Sequence, residues 1–216
     1  MNFYHNLITE KSWRLLRSLR KEYDFILIGG WAVFLHTNAL KSKDIDLVLE
    51  FPELERLKEE FDVSKNERLR KYEARREEME IDIYIPFYSG PGLPAEDLKR
   101  FVVSLEGFKT VEKEVLAILK QAALMARKDT VKGRKDLVDL VSLFRLPDFN
   151  WEKYRKIVSM YELGDSSTAV LEMLKKTTEM SELDLNTHQM ARLKRKIPFA
   201  ALKKLKPAEP KSTGHK

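Results

Sequence analysis

Residues 25–50, FILIGGWAVFLHTNALKSKDIDLVLE, carry the reading that decides the fold. Phe25-Ile26-Leu27-Ile28 is a short apolar run cut off by Gly29-Gly30, the pattern of a buried strand running into a turn. WAVFLHTN, directly after the glycines, suits a short helix. Residues 45–50, IDLVLE, return to strand character, and EIDIYIP at 80–86 supplies a third strand that Pro86 stops. Strand, glycine turn, helix, strand and a later strand predict an α+β protein with a small mixed β-sheet flanked by helices.

The acids in these strands are the first chemical signal. Asp44 and Asp46 stand at i and i+2, and strand side chains alternate, so both carboxylates are expected on one face with Ile45 and Leu47 on the other. Two neighbouring anions repel unless a cation lies between them. Magnesium takes oxygen ligands and favours carboxylates together with substrate phosphates. Asp82 interrupts a run of isoleucines, and aspartate is disfavoured in strands, so it too calls for a reason. Gly29 and Gly30 allow close backbone approach, and free N–H groups at a helix start favour phosphate.

On either side the chain is mostly helical. Residues 10–22 place Trp13, Leu15, Leu16 and Leu19 at helical spacing, with Thr9 as a candidate cap. Pro52 suits the first turn of a helix over PELERLKEEF. A hairpin turning near Glu77-Glu78 is expected to pair the two halves of 67–85. The loop SGPGLP at 89–94 divides a strand-containing part from a helical part, with helices over 112–128, 134–145, 150–162 and 166–180 and one after Asn186. The reading is therefore a catalytic core over 1–90, a helical bundle over 91–205 and a disordered tail over 206–216.

Composition narrows the function. The 216 residues are 43% hydrophobic and 34% charged, and none is cysteine, which removes disulfides, thiolate zinc sites and cysteine nucleophiles. No uncharged apolar run approaches the roughly 18 residues of a membrane span, so no membrane partner and a cytoplasmic location are expected. The net charge is +6, and residues 181–216, with nine Lys or Arg against three acids, hold all of the surplus. The four histidines have no metal-ligand spacing, and there is no Walker-type loop or serine nucleophile elbow.

Taken together, FILIGGWAVFLHTNALKSKDIDLVLE and EIDIYIP resemble the nucleotidyltransferase superfamily of DNA polymerase beta. VEKEVLAILKQAALMAR and KGRKDLVDLVSLFR extend the likeness to the helical region of AbiEii-type toxins and related minimal nucleotidyltransferases, over roughly residues 20–146. The last seventy residues match nothing recognisable. The resemblance implies a helical bundle after the sheet. It also implies transfer of a nucleoside monophosphate from an NTP to an acceptor hydroxyl, with two magnesium ions held by Asp44, Asp46 and Asp82 as the catalytic and metal-binding carboxylates. Gly29 and Gly30 would hold the triphosphate, Lys120 would contact phosphate, and Asp136 and Ser42 would complete the nucleotide site. Many members carry Gly-Ser where this chain has Gly29-Gly30, and that serine usually contacts the triphosphate.

Several alternatives stay open. Lys120 also reads as one exposed lysine among many, Asp136 as a helix acid in a salt bridge, and Ser42 as a turn residue. Trp31 reads as a core residue or a base-stacking one, and His36 as packed or lining the pocket. Basic residues 192–206 fit RNA, such as a tRNA end, through counterion release, or are a solvated helix face. The acceptor is RNA in a toxin–antitoxin-like setting, a small molecule such as an aminoglycoside, or a protein side chain. A chain that keeps the fold without catalysis would instead be a nucleotide-binding antitoxin or partner subunit, and an antitoxin or regulator protein is a candidate partner.

Overall fold

The computed structural model describes residues 2–76 and 79–203. The chain divides into two compact units, Met1–Phe149 and Asn150–Lys216. In the first, helix α1 (Asn2–Glu22) leads into β1 (Phe25–Ile28), α2 (Gly29–Thr37), β2 (Ile45–Leu49) and α3 (Phe51–Leu57). Strands β3 (Asp62–Asn66), β4 (Lys71–Arg76) and β5 (Met79–Tyr84) follow, then β6 (Val102–Leu105), β7 (Phe108–Val111), α4 (Lys113–Arg127) and α5 (Val131–Phe144). The result is a mixed seven-stranded sheet in the order β3-β4-β5-β2-β1-β7-β6, flanked by helices.

The apolar alternation explains the core. Leu27, Ile45, Leu47, Ile81 and Ile83 are all at 0% exposure, because their strands bury that face completely. Aspartates fall between them, on the other face. Helix α2 is buried along Gly30, Trp31, Ala32, Val33 and Leu35. The Trp31 indole N–H donates to Ser12 Oγ at 2.9 Å, and its ring lies 4.8 Å from that of Trp13. Trp31 is thus a core residue with its one donor satisfied. His36 hydrogen-bonds through Nε2 to the Val111 carbonyl at 2.9 Å, and burial lowers its pKa. It is a packed residue and does not line the cavity described below.

Three local expectations differ from the structure. Helix α1 begins at Asn2, so Thr9 is a buried residue inside it and not a cap. Helix α3 stops at Leu57, earlier than PELERLKEEF suggested, because Lys58–Phe61 turns into β3. The loop at 89–94 does not end the strands: β6 and β7 follow it and add to the β1 edge of the sheet. They are only four residues each, and their hairpin turns at Glu106 and Gly107, both at positive φ, where Glu-Gly is a weaker signal than Asn-Gly or Asp-Gly. The β4–β5 pairing is antiparallel, with Arg76 opposite Met79. Its expected turn at Glu77-Glu78 lies outside the described residues, as does the expected disordered tail at 206–216.

The second unit is helical: α6 (Trp151–Met160), α7 (Gly164–Lys176), α8 (Thr187–Lys196) and α9 (Phe199–Lys203). Asn150 caps α6 by accepting from the Lys153 N–H, and Asn186 and Gln189 form a reciprocal capping box on α8. The buried Tyr154 hydroxyl lies 3.2 Å from Ser167 Oγ, joining α6 to α7. Among the described residues, no helix is long and apolar enough to cross a membrane.

Candidate active site

The turn that opens α2 is shaped by what lies against it. Gly29 has φ +69°, a left-handed conformation that costs an L side chain roughly 1–2 kcal/mol. A Cβ there would also overlap the Asp46 carboxylate. Gly30 is crowded from another side: a Cβ would lie 2.5 Å from Ser42 Oγ and 3.3 Å from Lys135 Nζ. The Ser42 hydroxyl therefore fills the space a side chain at position 30 would take. Ile28, before the turn, provides no side-chain cap for the first N–H groups of α2.

The carboxylates converge on this turn. Asp46 is opposite Ile28 in the antiparallel β1–β2 ladder and opposite Asp82 in the parallel β2–β5 ladder. The Asp46 and Asp82 strands are neighbours, with none between them. Asp44 lies just before the first residue of β2, on its lead-in. All three carboxylates, with Gly29, Gly30, Ser42, Lys120 and Asp136, line one cavity of about 500 Å³ within the first unit. That volume is in the range of small-molecule sites. Every site residue expected from the sequence is thus brought to one place.

Their electrostatics differ. Asp46 is pushed up to about 6, first by burial and then by the Asp82 charge, with Asp44 adding to the repulsion and Lys120 opposing it. Asp44 Oδ2 is 3.7 Å from Lys132 Nζ, a lysine that is itself largely exposed. Asp82 is raised mainly by burial, although Lys71 pulls against it with Nζ 2.6 Å from Oδ1. Among the described residues, no group of three or more acids or histidines is gathered as a metal centre. At Asp82 an ammonium is already bonded to one carboxylate oxygen, Oδ1. Asp44 and Asp46 fit magnesium in kind. They are oxygen donors on one strand and its lead-in, and the raised Asp46 shows negative charge held against its own preference.

Helices α4 and α5 close the cavity with a second set of charges. Lys120 is not exposed; it is 7% accessible and lies between Asp139 (2.6 Å) and Asp136 (3.3 Å), both at 1%. Arg127 grips Asp136 from the other side, Nε to Oδ2 at 2.7 Å and Nη2 to Oδ1 at 3.1 Å. Asp136 is therefore a salt-bridging acid that also borders the cavity. Lys135 stands apart. Its ammonium donates to Ser42 Oγ at 3.0 Å, and no carboxylate pairs with it among the described residues. Burial lowers its pKa. Lys71, Arg127, Lys132, Lys135 and Asp139 were not singled out from sequence. Lys132 and Lys135 were legible in principle, since KGRKD places them one helical step apart at the start of α5. Lys71 was not picked out because the hairpin expected over 67–85 came without a register, and only the register brings Lys71 to Asp82.

No family model matches the chain, and no curated protein matches it in sequence. Solved structures do. JHP933 from Helicobacter pylori matches with a TM-score of 0.51 at 15% identity, covering 91% of this chain and 92% of that one. The chain shares the fold of that protein. A second solved structure, named as that of a putative nucleotidyltransferase from H. pylori, matches with a TM-score of 0.48 at 18% identity, covering 92% of each chain. An antigenic nucleotidyltransferase-like protein from Paracoccidioides brasiliensis gives 0.44 at 18% identity over 82% of this chain and 96% of that one.

Proposed function

We propose that this chain is a magnesium-dependent nucleotidyltransferase that moves a nucleoside monophosphate from an NTP to an acceptor hydroxyl. The observation that carries the reading is the Asp46–Asp82 register beside Gly29, with Asp44 on the same cavity and an uncommitted lysine facing them. Asp44 and Asp46 would hold the ion. When bound, it would neutralise the triphosphate and stabilise charge on the α-phosphoryl oxygens as the acceptor oxygen attacks, its hydroxyl proton passes to solvent and pyrophosphate leaves.

The chain's own groups supply position and charge. The Gly29-Gly30 backbone, free of Cβ atoms, lets phosphate oxygens approach the first N–H groups of α2. Lys135 and the Ser42 hydroxyl it holds contribute donors at the same spot. Lys132 adds positive charge at the exposed edge of Asp44. The Lys120–Asp136–Asp139–Arg127 network fixes α4 against α5 and so sets where Lys135 stands.

The acceptor we favour is RNA, a tRNA end for example, in a toxin–antitoxin-like setting. Helix α8 supports this: Arg192, Arg195 and Lys196 are exposed while Met190 and Leu193 are buried, which leaves a basic outer face. The remainder of 192–206 lies partly outside the described residues. An antitoxin or regulator protein is the partner class that such a setting implies.

The test is incubation of the purified protein with magnesium, labelled NTPs and total RNA. Label transferred to RNA, and lost with Asp44→Ala or Asp46→Ala in protein that still melts cooperatively, is the expected result. Label on a small molecule or protein changes the acceptor. Transfer that survives both substitutions removes the assignment.

A further inference from the structure

We infer that Lys71 is a built-in counter-cation for Asp82, so that the site takes a single divalent ion, at Asp44 and Asp46, instead of two. This rests on the nucleotidyltransferase reading above and refines its metal chemistry.

Lys71 opens β4, next to Asp82's strand. Glu73 is directly opposite Asp82 in the β4–β5 ladder, and Lys71, two residues earlier, projects from the same face. Its Nζ lies 2.6 Å from Asp82 Oδ1 and 3.2 Å from Glu73 Oε1. Glu73 is itself held by the Asn66 side-chain amide at 2.9 Å. Lys71 is only 8% exposed, unlike a surface lysine whose amine wanders in water. Its ammonium is fixed by two carboxylates, one of them anchored from behind by β3.

Ion pairing separates the carboxylates. Lys71 is bonded to Asp82 and shared with Glu73. Lys120, enclosed near the carboxylates, is matched by Asp136 and Asp139. Asp44 and Asp46 have no buried ammonium bonded to them, since Lys132, 3.7 Å from Asp44 Oδ2, is largely exposed and Lys135 donates to Ser42, so they are the carboxylates left to take a divalent ion. A second ion at Asp82 has either to displace the ammonium on Oδ1 or to bind Oδ2 with that ammonium a few ångströms away, where the two positive charges repel.

The experiment is manganese binding to the full-length protein, counted by calorimetry and by EPR, with a non-hydrolysable NTP equimolar to protein and without it. We expect one ion per chain and no spin-coupled pair. Lys71→Met should gain a second ion and a coupled EPR signal, Lys71→Arg should stay at one, and Lys71→Met with Asp82→Asn should return to one. Asp82→Asn alone should leave the affinity of the first ion within about threefold, which keeps the test readable if Lys71→Met fails to fold. Two coupled ions in the wild-type chain overturn the inference while leaving the metal site standing, and so does a Lys71→Met chain that stays at one. No bound manganese under any condition overturns the metal assignment itself.

Discussion

Lys120 and Lys135 reach the same cavity from adjacent helices and face opposite circumstances. Lys120 is enclosed by Asp139 and Asp136, and its pKa is raised because those carboxylates outweigh the burial that opposes them. Lys135 has a hydroxyl for a partner, and burial lowers its pKa. A charge already matched has little left to offer a phosphate, whereas a desolvated, unmatched ammonium gains by meeting one. Position on a motif and availability for binding are therefore separate properties, and ion pairing decides between them.

This contrast can be broken most forcefully at Lys120. Lys120→Met leaves Asp139 and Asp136 buried with one cation fewer, and we expect a loss of about 3–5 kcal/mol in denaturant unfolding. A variant as stable as the parent would show that Lys120 is not structural. Next comes the carboxylate side. Asp46→Asn should lower nucleotide transfer by on the order of 10²–10³-fold, measured as single-turnover rates. At pH 7.5 without metal it should also melt higher, by about 2–4 °C per kcal/mol of relieved repulsion. Lys135→Ala is expected to cost about 1.5–3 kcal/mol in NTP affinity with little change in melting temperature, the mirror image of Lys120→Met. If the two variants exchange phenotypes, the comparison is reversed.

The pH dependence has a definite sign. Asp46 has a folded value of about 6 against an ordinary 3.8, so the folded chain binds that proton more tightly than the unfolded one. Metal-free stability should fall as pH rises from about 4 to about 6 and level off above, as far as this group is concerned. Manganese affinity should run the other way, weakening by up to about tenfold per unit as pH drops below about 6, because the proton competes for the carboxylate. Thermal melts and manganese titrations across pH 4–8 measure both slopes. The smallest effect is expected from Ser42→Ala, which removes one hydroxyl partner of Lys135 and should weaken NTP binding by about 0.5–1.5 kcal/mol.

Much of the architecture was legible because its signals are local. FILI, IDLVL and MEIDIY show themselves by apolar runs and alternation, and α4 and α5 by helical spacing of Leu and Val. Strands β3, β6 and β7 were not legible: DVSKN and the edge strand β6 have exposed or half-buried patterns, and β7, though buried at Phe108, Thr110 and Val111, is only four residues long. Their strand character comes from pairing with neighbours distant in sequence. The candidate site divides in the same way. Asp44 and Asp46 are two residues apart and read directly, whereas Lys71 meets Asp82 across the β4–β5 pairing, a hairpin expected from the sequence without the register that sets Lys71 on Asp82.

The sequence by itself determined which segments bury an apolar face, that Gly29-Gly30 interrupts the first strand, and that Asp44, Asp46 and Asp82 sit among residues that must face the core. Alternation of two along a strand is enough for that, because it depends on the chain alone. Only the tertiary structure decided that β5 lies directly beside β2, that Ser42 fills the space next to Gly30, and which lysines are neutralised. Strand order and ion pairing depend on which distant segments meet, and the strength of a charge depends on what surrounds it after water has been removed.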